Sequence, residues 1–206
     1  MTLTHAVVVI VSVAIAVTLG VAAAIFSRRK TRVRAVCLNV TSTFMTIPAM
    51  ALFGLLIPLL GLGWGPTITA LVMYALLPIL HNTIAGLDGV DPRVKRAAEG
   101  IGLTPVQVFR RVELPLAWPV MLIGIRVTTL MTVSSAAIAA YVNGPGLGGD
   151  IFTGLSRIGG AGAINQVLAA VILVVLLGII LDLLLQVLGL LTGARRQRFS
   201  RRGAAS

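Results

Sequence analysis

Charge is scarce in this chain. Only 11% of its 206 positions are Asp, Glu, Lys or Arg, and only six of those are acidic. A soluble domain carries about 25% charged residues, so there is too little solvating surface for an ordinary cytosolic enzyme or a nucleic-acid-binding domain. Aromatic residues are also few, at 5%, and none is interleaved with the basic runs as base stacking on a nucleic acid requires. The single cysteine, Cys37, excludes an intrachain disulfide and a cysteine-based metal site. It reads as a small buried hydrophobe. His5 and His81 lie far apart without a Glu-x-x-His context, which argues against a metal site. No serine sits in a Gly-x-Ser-x-Gly elbow, and Gly144-Pro145-Gly146-x-Gly148-Gly149 lacks the Gly-Lys-Ser/Thr of a phosphate loop. No catalytic set, metal or cofactor is expected.

What the chain has in excess is apolar surface: 57% of its residues are hydrophobic. Met1–Ser27 and Ala35–Leu87 carry no charged side chain, Leu114–Gly149 carries only Arg126, and Ile158–Leu191 only Asp182. A helix needs about 20 apolar residues to cross roughly 30 Å of hydrocarbon. The expected architecture is all-α, a single transmembrane domain over 1–206 with about five spans near 3–26, 36–60, 66–87, 117–142 and 165–191. A cytoplasmic loop over 88–115 and a basic tail over 192–206 complete it. The N-terminus lacks a positive leader region, so the first span reads as a retained helix.

The basic residues sort by side. Arg28, Arg29, Lys30, Arg32 and Arg34 follow the first span. Arg93, Lys95, Arg96, Arg110 and Arg111 lie between the third and fourth, and Arg195, Arg196, Arg198, Arg201 and Arg202 follow the fifth. All fall on one side if the N-terminus is outside, and an excess of Lys and Arg marks the cytoplasmic side. The expected placement is the bacterial plasma membrane, N-terminus out and C-terminus in, with the basic runs against anionic lipid head groups.

The loop 88–115 alone has an ordinary soluble composition. Asp91-Pro92 predicts a capped helix start, and Gly102 a left-handed stop. Thr104-Pro105-Val106-Gln107 predicts a second start with a capping box. The second helix is expected to share a face of Val106, Phe109 and Val112, with Leu114-Pro115 ending it. An elbow this short has no core of its own. From the residues alone it folds back on this chain's helix ends or seats in another protein.

Ala97-Ala98, three residues, Gly102, nine residues, Val112, one residue, then Leu114-Pro115 resembles the cytoplasmic signature loop of type I ABC importer permeases. The Glu position of that pattern is Arg96 here. The resemblance implies an all-α permease fold, and a loop (Arg96, Ala97, Ala98, Gly102, Phe109, Val112, Leu114, Pro115) that seats in a groove of a cytoplasmic ABC ATPase dimer. It also implies a second permease subunit, identical or paralogous, and an extracytoplasmic solute-binding protein. Thr46-Ile47-Pro48-x-Met50-Ala51-Leu52-x-Gly54-Leu55-Leu56-Ile57-Pro58 and Tyr74-Ala75-Leu76-Leu77-Pro78 are similar to the osmoprotectant branch of that family. Its members import glycine betaine, choline, carnitine or proline betaine; the alternative substrate is an amino acid or a derivative of one.

Inside the predicted spans Arg126 and Asp182 are the only formal charges. Each costs ~2.5–3.5 kcal/mol alone in a bilayer. Both fall ~13 Å from the inner ends of their helices, which predicts an intramembrane ion pair. Asn39, Thr43 and Thr46 in the second span, and Thr132 and Ser135 in the fourth, read either as packing glue between helices or as the lining of a weakly polar path. An autonomous channel or secondary transporter would leave the elbow without a partner. An intramembrane enzyme using Asp182 or His81 would need a second catalytic group at the same depth.

Overall fold

The structure, a computed structural model, describes residues 1–28 and 30–192. The basic tail expected over 192–206 therefore lies, beyond Thr192, outside the described residues. Among the described residues the α-helices comprise five long or bent stretches, the short elbow pair and one short helix on the side away from the elbow. They are α1 (Thr2–Ser27), α2 (Thr31–Thr46), α3 (Ala49–Leu60), α4 (Trp64–Asp88), α5 (Pro92–Gly100), α6 (Pro105–Val108), α7 (Leu114–Ile138), α8 (Gly148–Ser156) and α9 (Ala163–Leu191). Helices suit this composition because a helix satisfies its own backbone hydrogen bonds where no water is at hand.

The central helix is α4, which packs along α1 on one flank and α7 on the other, while α1 and α7 also touch. Helices in hydrocarbon gain little from hiding apolar surface, so they associate by close van der Waals approach at small residues. Between α4 and α7 Gly124 is such a residue: a Cβ there would lie 2.6 Å from Asn82 Cβ and 3.0 Å from the Pro78 carbonyl oxygen. Val9 and Val13 of α1, Phe53 of α3, Leu71 of α4, and Ile125 and Val133 of α7 are buried around this junction. By contrast α9 lies against α7 and α8 and leaves Ile172, Val175, Ile179 and Leu183 exposed, a surface suited to lipid chains.

The stretch 36–60 departs from the single span expected for it. Helices α2 and α3 meet at 103°. Pro48 lacks the N–H that would continue the ladder, and its ring pushes Ile47 into extended backbone, φ −78° and ψ 128°. The Tyr74 hydroxyl donates to the Ile47 carbonyl at 2.6 Å, so α4 holds the break. Four helical stretches are each long and apolar enough to cross a membrane, Thr2–Ser27, Trp64–Asp88, Pro105–Val142 and Ala163–Leu191, and the bent pair makes up to five.

On the side away from the elbow, the glycine-rich segment after Val142 folds rather than loops. Its helix α8 lies on α9. His5 of α1 is buried beneath the approach to α8. Its Nε2 lies 3.1 Å from the Val133 carbonyl, and the Leu147 N–H donates to Nδ1 at 3.2 Å. One neutral tautomer, with the proton on Nε2, meets both contacts.

Candidate functional site

The elbow between α4 and α7 is built from local signals. The Asp91 carboxylate accepts the Arg93 N–H at 2.7 Å and caps α5, whose first residue is Pro92. Past α5 the chain reverses at Gly102, φ +88°, backbone that a Cβ would strain. Thr104 and Gln107 then close a capping box. The Gln107 N–H donates to Thr104 Oγ1 at 3.4 Å, and Gln107 Oε1 accepts the Thr104 N–H at 2.8 Å.

Leu114-Pro115 does not end the helix as expected. A single π turn, Phe109–Glu113, joins α6 directly to α7. Proline costs a helix its i→i−4 bond and crowds the carbonyl four residues back. The wider π turn, in which bonds run to i−5, absorbs both just ahead of Pro115. The extra residue also shifts the faces. Val108 and Glu113 are the buried positions, Phe109 and Val112 are half-buried, and Val106 is 65% exposed, so the expected face of Val106, Phe109 and Val112 is corrected to one centred on Val108. Ala98 is buried, while Arg96, Ala97, Gly102 and Pro115 are exposed and Leu114 is half-buried. Val94, Ile101 and Val106 leave apolar side chains uncovered along the elbow.

Glu113 ties the elbow to the long helices. Its Oε2 lies 3.1 Å from Arg28 Nη1 at the end of α1, and its Oε1 lies 3.4 Å from Lys95 Nζ in α5. The Arg28 guanidinium stands 4.6 Å from the centre of the Phe109 ring, within cation–π range. One carboxylate thus joins three elements. Sequence reasoning missed this anchor, because no spacing rule relates Arg28 to Glu113. The available signal was an acid two residues after Arg110-Arg111, at the apolar boundary of the loop.

Deeper in, Arg126 of α7 and Asp182 of α9 meet in a two-bond fork, Nε to Oδ1 at 2.7 Å and Nη2 to Oδ2 at 2.9 Å. Gln186 Nε2 donates to Oδ2 at 2.7 Å, so the carboxylate has three donors.

A half-open cavity of about 320 Å³ lies at the α2–α3 break, lined by Ile47, Pro48, Tyr74, Thr128, Thr132 and Ser135 among others. Thr132 and Ser135 therefore share one cavity. Asn39, Thr43 and Thr46 do not join them. They are exposed along α2, where Thr43 Oγ1 donates to the Asn39 carbonyl and Thr46 Oγ1 to the Thr43 carbonyl, both at 2.8 Å. No group of three or more metal-ligating side chains occurs among the described residues.

Known proteins resemble this chain in sequence and in fold. Residues 16–191 match the family described as binding-protein-dependent transport system inner membrane component. The choline transport system permease protein OpuBB of Bacillus subtilis is 37% identical over 179 residues, 87% of this chain and 79% of that one. The osmoprotectant import permease protein OsmW of Salmonella typhimurium is 37% identical over 190 residues, 90% of this chain and 86% of that one. The fold is similar to a chain of the MetNI methionine ABC transporter in its inward facing conformations, with a TM-score of 0.71 and 22% identity over 89% of this chain and 92% of that one. The chain belongs to the binding-protein-dependent transport system inner membrane components, as the multi-pass permease of an ABC importer.

Proposed function

We propose that this permease carries a small osmoprotectant such as glycine betaine, choline, carnitine or proline betaine. The observation that carries the substrate class is the 37% identity, along most of the chain, to the choline permease and the osmoprotectant permease. Two permease copies, identical or paralogous, would enclose the path, since five spans do not readily enclose one alone. The elbow would seat in an ATPase dimer: its uncovered Val94, Ile101 and Val106 offer an apolar surface, and Glu113 makes it rigid against α1 and α7. The excess of Lys and Arg on the elbow side supports a cytoplasmic elbow, with the N-terminus outside and the basic segments against anionic lipid. A separate binding protein outside the cell would supply the solute, because one tyrosine in the cavity is not the aromatic cage that selects a quaternary ammonium.

The test is uptake of radiolabelled glycine betaine at raised osmolarity, with and without the gene, in cells lacking other betaine carriers. ATP-dependent uptake that disappears on deletion supports the reading; unchanged uptake removes the osmoprotectant assignment. A second arm addresses the elbow. Gly102→Val forces a β-branched residue into left-handed backbone and is expected to leave insertion intact while uncoupling ATP hydrolysis from uptake. Normal uptake in that variant would exclude the elbow as the coupling element.

A further inference from the structure

Helix α9 is the least covered of the long stretches. Of its most apolar part 22% is buried, against 39% in Thr2–Ser27, 44% in Trp64–Asp88 and 50% in Pro105–Val142. Hydrocarbon suits leucine and isoleucine as well as a protein surface does, so an exposed apolar face by itself names no neighbour. The polar atoms set in that face do. Asp182 lies ~13 Å before the end of α9, close to the middle of a hydrocarbon layer about 30 Å thick. Its fork with Arg126 is nevertheless not shut inside the bundle. The Arg126 side chain is 36% exposed and that of Asp182 18%, and Gln186 is exposed beside them.

The hydrogen bonds of this triad are incomplete. A guanidinium has five N–H donors. Arg126 uses Nε–H and one N–H of Nη2, both on Asp182, and the other three have no partner among the described residues. Gln186 gives one N–H to Asp182 and keeps its carbonyl oxygen open. Lipid chains offer neither donor nor acceptor, and charged groups at this depth face protein or a water-filled cavity. Neither the cavity at the α2–α3 break nor the apolar groove between α1, α7 and α9 has a member of the triad in its wall. The open side is one continuous face. At 100° per residue, Asp182, Gln186, Val175 and Ile179 fall within an arc of ~60° on α9, and Arg126, Ile123 and Leu130 within ~60° on α7. The four apolar residues among them are 43–54% exposed, and the two helices touch where a Cβ on Gly178 would lie 3.7 Å from Leu130 Cδ2.

We infer that a second copy of this chain covers the α7–α9 face, with Arg126, Asp182 and Gln186 at the centre of the contact. The face complements itself. It has no net charge at the triad, open donors on Arg126 and an open acceptor on Gln186, about one helical turn apart in depth. A twofold axis along the membrane normal brings like depths together, so Arg126 of each copy donates to the Gln186 carbonyl of the other, while Ile123, Leu130, Val175 and Ile179 pack around them. The inference rests on the reading of paired permeases and adds which face pairs, what holds it and that the partner is identical.

The test uses the full-length permease in native membranes containing the whole transporter, in a Cys37→Ser background that removes the lone cysteine. Ile123→Cys, Leu130→Cys, Val175→Cys and Ile179→Cys are introduced one at a time. Copper–phenanthroline then joins two thiols as a disulfide where their Cα atoms come within about 7 Å. A disulfide-linked dimer is expected from at least one of the four. Leu19→Cys on α1 is the control, 50% exposed like Ile179 and ~12 Å from the inner end of its helix, and is expected to give none. No dimer from any of the four, or an equal yield at Leu19 from random collision, would overturn the inference. Gln186→Leu leaves the Arg126–Asp182 fork intact and, added to the fastest-linking variant, is expected to slow linking about threefold; indifference would remove the triad from the contact and overturn the inference as well. ATP-dependent glycine betaine uptake by the Cys37→Ser parent is read alongside. Uptake without linking removes this interface and leaves the transport reading, whereas linking without uptake does the reverse.

Discussion

The two ends of the helix bundle are fastened by different chemistry. Every ion pair among the described residues lies on the elbow side or at mid-depth: Arg28 and Lys95 on Glu113, Arg34 on Asp88, and, deepest, Arg126 on Asp182. The opposite end holds no ion pair among the described residues. It is closed by neutral contacts, the His5 ring between Val133 and Leu147, and the Gly63 N–H donating to the Val142 carbonyl at 2.8 Å. The elbow side is thus held by charged attachments and the far side by neutral ones.

The comparison is broken most severely at its deepest ion pair. Asp182→Asn leaves Arg126 with a neutral partner in an apolar setting and is expected to cost about 3 kcal/mol, read as a large loss of thermal stability in detergent. Exchanging the charges, Arg126→Asp with Asp182→Arg, is expected to recover part of it. No coupling in that double-mutant cycle would mean that the pair is not energetically real. Glu113→Gln comes next. It keeps the shape but loses both charge-assisted contacts, and is expected to reduce uptake roughly tenfold, the equivalent of about 1.4 kcal/mol, while ATP hydrolysis continues. A loss of both in proportion would assign Glu113 to stability alone. At the neutral end, His5→Leu removes the bond to the Val133 carbonyl and strands the Leu147 N–H, for about 1 kcal/mol. The expected sign is faster hydrogen exchange over 143–162 with the elbow unchanged. The smallest effect belongs to Arg34→Gln. The exposed pair with Asp88 is worth at most about 0.5 kcal/mol, and a larger change in melting temperature would contradict the division drawn here.

What the sequence made legible was local or compositional. Long uncharged runs predict a helical membrane protein, and Asp91, Gly102 and the Thr104–Gln107 box predict an elbow whose caps form with those residues. The break at Ile47-Pro48 was hidden because no charged residue marks it within 36–60, although Pro48 was the visible cue. The π turn has no local code. It arises from accommodating Pro115 in a helix that packing keeps continuous, and it moved Val106 out and Val108 in. The contacts of Glu113 and His5 escaped notice for one reason: their partners lie far along the chain, Arg28 and Val133 respectively. The cavity is likewise a product of four helices meeting, and only its α7 wall, Thr132 and Ser135, showed as a polar stripe.

The π turn has a mechanical consequence. Because it replaces a stop, Pro105–Val142 is one helical stretch of 38 residues, about 57 Å long, reaching from the elbow to the glycine-rich end. It is gripped part-way along by Asp182. A tilt of about 5° around Arg126 would move the two tips roughly 2–3 Å in opposite directions, and the π turn, Pro115 and Pro119 are the points where such a rod would bend instead.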